Sequence, residues 1–364
     1  MSHAPRFHRL AVNDLRRESA DAVSMTFAIP RELADDYHFV PGQYLTLRTT
    51  MDGEEVRRSY SICSGPDDGE LRIAVKKVDG GAFSNWAADE LKAGDQLDVM
   101  TPTGRFGVAP APEEARTYVG FAAGSGITPI LSIAATTLEE QPESKFTLVY
   151  GNRRMSSVMF NEALQDLKDR YRDRLTLIHI LSRQAQEVDL LQGRIDGDKV
   201  RAIIKALLPA ASMDEVFICG PEAMIEATEK ALIEAGVPES RVYTERFTSG
   251  PAQAAKIQAD TDAAPLKQAA AKDIALTIVL DGKQHELHIG ADEHVLDAAL
   301  DAGLDLPFSC KAGVCCTCRA KVLSGEVVMD KNFTLEGDEM ALGYVLSCQA
   351  RATTRQLTVS FDEH

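Results

Sequence analysis

Thr117-Tyr118-Val119-Gly120-Phe121-Ala122-Ala123-Gly124-Ser125-Gly126-Ile127-Thr128-Pro129 opens a run of 22 residues, ending at Leu138, in which no side chain is charged. By length alone such a run could cross a bilayer. Its composition argues otherwise, because ten of the 22 are Gly, Ser, Thr or Pro and a Gly-Ser-Gly turn stands in the middle. The run reads as a strand over Thr117 to Ala123, a turn, and a helix over Ile130 to Leu138, with Thr128 as N-cap and Pro129 at the first helical position. At this point the chain is α/β, not membrane-spanning.

The same alternation continues downstream. Strand-like runs at Phe146 to Tyr150, Leu175 to Leu181 and Glu215 to Cys219 alternate with helical stretches at Val158 to Leu167, Asp198 to Leu207 and Glu222 to Ala235. This order predicts a parallel sheet covered by helices over residues 111–248. Upstream, residues 1–110 hold short alternating runs, Ala22 to Ile29, Gln43 to Arg48 and Leu71 to Lys77, punctuated by Pro, Gly and Asp. They predict an antiparallel β-barrel. Residues 249–271 contain nine alanines and only Ile257 and Leu266 as large aliphatics, too little apolar surface to anchor a fold, and read as a linker. Residues 272–364 begin with a hairpin (Ala275 to Leu280, Asp281-Gly282, Gln284 to Ile289) and a helix at His294 to Asp301, an α+β pattern.

The whole chain has 364 residues with a formal net charge of −16, and the last segment is itself acidic. A surface of that sign repels phosphate backbones and anionic lipid, so neither nucleic acid nor membrane is an expected partner. The N-terminus carries no signal-peptide pattern, which places the expected site of action in the cytoplasm.

Four of the seven cysteines fall within nine positions. Cys310, Cys315 and Cys318 form C-x4-C-x2-C, and Cys348 stands alone 30 residues later. This spacing is that of a 2Fe-2S cluster. Ala312 and Gly313 supply the small, flexible residues a loop needs to turn its thiolates inward. A zinc site is the competing reading, but zinc knuckles come in paired C-x2-C units and the fourth cysteine here has no pair. Cys316 is read as a spare thiol and an oxidation liability.

The segment Pro307-Phe308-Ser309-Cys310-Lys311-Ala312-Gly313-Val314-Cys315-Cys316-Thr317-Cys318, with Leu346-Ser347-Cys348-Gln349, resembles plant-type ferredoxins, whose domain has a β-grasp fold. It departs from them at Cys316, where a small non-cysteine residue is usual. The resemblance implies Cys310, Cys315, Cys318 and Cys348 as ligands.

Three further motifs carry phosphate or ring chemistry. Arg58-Ser59-Tyr60-Ser61 joins a guanidinium, an aromatic and hydroxyls on one strand. Gly80-Gly81-Ala82-Phe83-Ser84 opens a helix, and Gly124-Ser125-Gly126-Ile127-Thr128-Pro129 ends the first strand of the parallel sheet, where dinucleotides bind. Phe217-Ile218-Cys219-Gly220-Pro221 ends the fourth strand. Taken in this order, residues 7–247 resemble the ferredoxin-NADP reductase superfamily. The resemblance implies that Arg58, Ser59, Tyr60 and Ser61 contact a flavin, with Gly81, Ala82, Phe83 and Ser84 at its pyrophosphate. Gly124, Ser125, Gly126 and Thr128, with Cys219, Gly220 and Pro221, would line the nicotinamide nucleotide site. It also implies hydride-transfer roles for Ser61 and Cys219, with Glu245 in Thr244-Glu245-Arg246-Phe247 as a nearby carboxylate, and it favours FAD over FMN.

Tyr150-Gly151-Asn152-Arg153 lacks an acidic residue to hold a ribose diol, and the third strand ends in Ser182-Arg183. Arg153 and Arg183 could hold a 2′-phosphate, which points to NADPH.

The flavin, nucleotide, cluster order is similar to that of multicomponent oxygenase reductases. The resemblance spans nearly the whole chain through segments such as Asp52-Gly53-Glu54-Glu55-Val56-Arg57-Arg58, Gly193-Arg194-Ile195-Asp196-Gly197 and Gly343-Tyr344-Val345-Leu346-Ser347-Cys348. It implies NADPH-dependent electron delivery through FAD and the cluster to a di-iron oxygenase, with the linker letting the cluster domain alternate between flavin and partner. A ring-hydroxylating system as acceptor and a non-catalytic redox sensor are the alternatives. His285, His288 and His294 are expected at the surface, and Trp86 as a helix-packing residue.

Overall fold

The computed structural model describes residues 5–109, 111–247 and 274–363; the expected linker, 249–271, lies outside them. The described chain divides into a larger and a smaller compact unit, the smaller made of the residues after 247 together with residues up to 7 and residues 57–59.

In the larger unit, strands β1 (Phe7–Ser19), β2 (Ala22–Ala28), β3 (Tyr44–Met51), β4 (Glu54–Ser61), β5 (Leu71–Lys76) and β6 (Gln96–Met100) form one sheet in the order β4-β3-β6-β1-β2-β5. Strands β1 and β4 belong to this unit except at Phe7 and Arg57–Ser59. The ends of that order meet: Ile62 bridges Ile73, and the Cys63 N–H donates to the Arg72 carbonyl at 2.9 Å. The sheet is thereby closed as the expected antiparallel barrel. Leu10, Val23, Met25, Leu45, Ile73 and Val99 fill it, all at most 1 % exposed. The short helix α1 (Ala82–Asp89) covers one end, where Trp86 packs edge-on against Phe83, a packing residue as read from sequence.

The second sheet of this unit has the order β11-β10-β7-β8-β9, with each neighbouring pair parallel, formed by β7 (Thr117–Ala123), β8 (Lys145–Asn152), β9 (Leu175–Leu181), β10 (Glu215–Gly220) and β11 (Val242–Arg246). Helices α2 (Ile127–Glu140), α3 (Asn161–Arg170), α4 (Gly197–Ala206) and α5 (Glu222–Glu234) alternate with these strands. A sheet buried on both faces needs apolar strands, and Tyr118, Phe121, Phe146, Tyr150 and Phe217 are fully buried.

Two expectations about the helices need correction. The helix after the glycine turn begins at Ile127 with Gly126 as N-cap, not at Pro129 with Thr128 as cap. The residues Gly124–Gly126 are already wound as a 3-10 turn, so the helix continues from them, and the Thr128 hydroxyl donates back to the Ser125 carbonyl at 3.0 Å. Pro129 is tolerated because first-turn N–H groups have no intrahelical acceptor. The next helix starts at Asn161 rather than Val158, because Phe160 takes a left-handed φ of 58° while Val158 and Met159 are buried.

The smaller unit has a mixed sheet in the order β13-β12-β18-β14-β16, from β12 (Ile274–Leu280), β13 (Lys283–Ile289), β14 (Arg319–Ser324), β16 (Tyr344–Leu346) and β18 (Gln356–Ser360). Strands β15 (Val327–Met329) and β17 (Ala350–Ala352) pair separately, and helices α6 (Val295–Asp301) and α7 (Gly337–Ala341) complete the α+β unit. Strand β12 runs parallel to β18 and antiparallel to β13, which gives the β-grasp arrangement. Among the described residues no helix is long and apolar enough to cross a membrane.

Candidate functional site

The cluster loop lies between α6 and β14. Three of its residues take left-handed backbone, Lys311 (φ 51°), Gly313 (φ 78°) and Cys316 (φ 56°), which curls the chain so that N–H groups point inward. The Ala312 N–H donates to Cys310 Sγ at 3.3 Å, the Thr317 hydroxyl to Cys315 Sγ at 3.3 Å, and the Gln349 amide reaches Cys348 Sγ at 3.7 Å. Sulfur surrounded by N–H and O–H donors is the environment of a thiolate.

The four thiols fall into two hydrogen-bonded pairs, Cys310 with Cys315 and Cys318 with Cys348. Within each pair the hydrogen bond from its neighbour pulls one thiol, Cys310 or Cys348, below the ordinary thiol range. Among the described residues, no three His, Cys, Asp or Glu side chains converge on a single-ion position. Cys318 nonetheless lies close enough to Cys310, Cys315 and Cys348 for each to act on it electrostatically, and an all-sulfur donor set in the C-x4-C-x2-C spacing suits the 2Fe-2S group. Cys316 is half-buried and held in a backbone conformation that costs a side-chain-bearing residue energy.

In the larger unit the glycine turn and the fourth-strand turn interlock. A Cβ on Gly126 would stand 2.1 Å from the Cys219 carbonyl oxygen, and one on Gly220 would strike Met224 Cε at 2.6 Å. By contrast, a Cβ on Gly124 (φ 56°) would meet nothing within 4 Å, so the space above that residue is open. No side chain caps α2, whose first-turn N–H groups lie beside that space and suit a pyrophosphate. Cys219 is fully buried and pairs in register with Glu245 on β11. Burial pushes its thiol well up, and the Glu245 carboxylate adds to the shift, so it remains protonated.

Tyr60 and Ser61, at the end of β4, lead into a loop that is fixed to the same region. In that loop Ser64 offers a carbonyl to the buried Ser132 hydroxyl of α2 at 2.7 Å, and β5 touches the Gly124–Gly126 turn. Ser61 is buried, Arg58 is exposed, and the Tyr60 ring stacks on Phe83 of α1 at 5.7 Å. Helix α1 has Gly81 as N-cap with no side-chain cap bond, so its early N–H groups are open to an anion. The Ser84 hydroxyl accepts from the Val78 N–H at 3.2 Å and donates to the Gly81 carbonyl at 3.3 Å, holding Gly81 and Ala82 in place. These groups fit a flavin and its pyrophosphate.

At the far end of the parallel sheet, the Arg183 N–H donates to the Arg153 carbonyl at 2.8 Å and the Ser182 N–H to the Asn152 carbonyl at 2.9 Å. The bonds bring two exposed arginines to one strand edge. Asn152 Nδ2 is buried there with no hydrogen-bond partner, a feature that sequence alone did not single out. His285 is half-buried and His288 exposed, but His294 departs from the surface expectation: only 24 % of its side chain is exposed, and Nε2 lies 2.8 Å from Asp330 Oδ2.

Three family profiles match. The Oxidoreductase FAD-binding domain covers residues 9–107, the Oxidoreductase NAD-binding domain 121–230, and the 2Fe-2S iron-sulfur cluster binding domain 278–353. Among curated relatives, the chain is 47% identical over 358 residues to a subunit of the 1,2-phenylacetyl-CoA epoxidase of Escherichia coli strain K12, covering 98% of both chains. It is 36% identical to the ferredoxin reductase component of 3-ketosteroid-9-alpha-monooxygenase from Rhodococcus rhodochrous, covering 99% of this chain and 98% of that one. Among solved structures, phthalate dioxygenase reductase shares the fold, with a TM-score of 0.58 at 24% identity over 97% of this chain and 98% of the other.

Proposed function

Because the chain belongs to the family of oxygenase reductase components that join FAD-binding, NAD-binding and 2Fe-2S domains, we propose that it is the NADPH-dependent reductase of a phenylacetyl-CoA epoxidase. It is an oxidoreductase that passes electrons through FAD and a 2Fe-2S cluster to an oxygenase. The acceptor in this reading is a di-iron oxygenase, and the reaction runs in the cytoplasm, where cluster thiols stay reduced before assembly. The identity to the Escherichia coli protein over nearly full length supports a phenylacetyl-CoA epoxidase as the acceptor.

When bound, FAD and the cluster together let a two-electron hydride leave as single electrons. The chain's own residues do the rest. Arg58 would neutralise a flavin phosphate, Ser59 and Tyr60 would orient the ring system, and Ala82, Phe83 and Ser84 would offer first-turn N–H groups to the pyrophosphate, with Gly81, whose own N–H donates to the Val78 carbonyl at 2.9 Å, leaving room for its approach. Gly124, Ser125, Gly126 and Thr128 cradle the nicotinamide nucleotide, while Gly220 and Pro221 hold the second turn against them. Ser61 and the protonated Cys219 would serve as orienting groups for hydride transfer, and Glu245, in register with Cys219, would keep the region around it polar. Arg153 and Arg183, with Ser182, hold the 2′-phosphate that separates NADPH from NADH. Cys310, Cys315, Cys318 and Cys348 ligate the cluster.

One observation carries this reading: the Gly126 turn is locked against Cys219, while Ser64, three residues past Ser61, is bonded to the helix that this turn opens, and β5 touches the turn. An anaerobic NADPH titration of the purified chain tests it. The expected result is bleaching of flavin absorbance followed by loss of cluster absorbance. Bleaching by NADH alone would overturn the nucleotide assignment, and unchanged cluster absorbance would overturn the electron path. Co-purification with a ring-hydroxylating oxygenase in place of the epoxidase would replace the acceptor.

A further inference from the structure

A chain of charged side chains runs from one flank of the cluster loop to the other, and none of it belongs to the ligand set. His294, the N-cap residue of α6, directs Nε2 at Asp330 Oδ2 (2.8 Å) and Nδ1 at Asp297 Oδ2 (3.7 Å). The Asp330 contact is a hydrogen bond and the Asp297 contact is at ion-pair distance, so both carboxylates favour the imidazolium form. The second oxygen of Asp297 accepts from Lys311 Nζ at 2.8 Å, and Lys311 stands between Cys310 and Ala312 in the loop. The second oxygen of Asp330 accepts from Arg351 on β17, three residues beyond Cys348. Gln349 ties the two flanks together, its amide donating to the Lys311 carbonyl at 3.1 Å while also reaching Cys348 Sγ.

We propose that His294 is a tuning residue for electron transfer: acting through Asp297 and Lys311, its protonation makes the cluster easier to reduce. This rests on the reading of the four cysteines as ligands. The two acids and two bases of the network balance, so it is neutral when His294 is neutral and carries one positive charge when His294 is protonated. A positive charge there stabilises an added electron on the cluster. By linkage, reduction raises the proton affinity of His294. One electron enters the cluster from reduced flavin and a fraction of a proton enters the imidazole from solvent; both leave when the electron passes to the acceptor.

Charged groups face His294 from several elements. The interactions with Asp297 and then Asp330 raise its pKa above the usual histidine value despite burial, and His294 together with Lys311 lowers Asp297 to about 2. Strand β17 contributes Arg351, and the loop contributes Lys311. Strand β13, also packed on α6, carries Lys283, His285, Glu286 and His288, and the neighbouring Glu293 accepts from the Gly290 N–H at 3.1 Å.

The test is the midpoint potential of the cluster in the full-length holoprotein, followed by absorbance in a mediated redox titration from about pH 6 to about pH 9. Electron affinity is expected to fall about threefold across that range, about 28 mV at 59 mV per tenfold. In His294→Gln the potential should stay near the alkaline wild-type value at every pH. In Asp330→Asn the fall should move to lower pH, because the imidazolium loses one acceptor. A flat wild-type profile with an intact cluster overturns the proposal, and so does a His294→Gln protein that keeps the wild-type slope. If His294→Gln does not assemble a cluster, the wild-type and Asp330→Asn profiles decide. A wild-type preparation lacking iron and sulfide would instead overturn the ligand reading itself.

Discussion

Cys219 and Cys315 are both buried thiols, and the surroundings of each give them opposite chemistry. Cys219 ends a parallel strand with an acidic neighbour and no second thiol, so burial leaves it a neutral group that can only donate weakly and fill space. Cys315 is also held protonated, but by giving its proton toward Cys310, while a threonine hydroxyl points at its sulfur. A metal ion can take the place of such protons, because a second thiol and a hydroxyl donor converge on the same sulfur. Burial alone therefore does not make a ligand; convergence with donors does.

The sharpest way to break that comparison is to remove one member of a pair. Cys315→Ser is expected to abolish the cluster and reduce electron delivery to the oxygenase by at least about a hundredfold, while ferricyanide reduction by NADPH stays within about twofold. Iron, sulfide and visible absorbance report the first effect, and steady-state rates the second. Cys316→Ser should keep the full cluster, and loss of iron in that variant would reassign the ligands.

Gly126→Ala examines the other side of the comparison, where backbone rather than thiol chemistry sets the geometry. Its Cβ must push against the Cys219 carbonyl, so urea unfolding should show a loss of about 3 kcal/mol. Unchanged stability would mean that the two turns are not locked. Cys219→Ala is expected to lower kcat for hydride transfer about tenfold with nucleotide affinity nearly unchanged, since only orientation is lost. Stopped-flow reduction of the flavin by NADPH gives both quantities. Arg153→Gln or Arg183→Gln should raise the KM for NADPH about fivefold and leave that for NADH alone. Equal effects on both nucleotides would rule out a 2′-phosphate contact.

The smallest effect concerns pH and stability in the cluster unit. The folded pKa of His294 lies above its unfolded value, so its contribution is complete below that unfolded value and is lost as pH rises through the folded one. The stability difference between wild type and His294→Gln in urea should therefore shrink from about pH 6 to about pH 9. A difference that grows with pH would reverse the assignment of charge.

Much of the fold is legible in residue order. The strands Thr117–Ala123 and Leu175–Leu181 lie where their apolar runs lie; the first is central and buried on both faces, so it cannot hide its composition. The cysteine spacing likewise announces a cluster, since ligand spacing is local. The start of α2 is not legible in this way: Thr128 has the chemistry of an N-cap, whereas glycine's freedom lets the helix start two residues earlier. Phe160 moves the start of α3 for a similar reason, as nothing in its type advertises a left-handed backbone.

The residue types and spacings by themselves determined the succession of a barrel, a parallel sheet and a cluster-bearing unit, together with the chemistry each motif could perform, because periodicity and motif spacing act over a few residues. Only tertiary structure decided which thiols share a hydrogen bond, that Gly126 must be glycine because Cys219 passes behind it, and that His294 meets Asp330 across 36 positions. Those facts depend on where separate segments pack, and packing follows from the burial of the whole fold rather than from any one stretch of it.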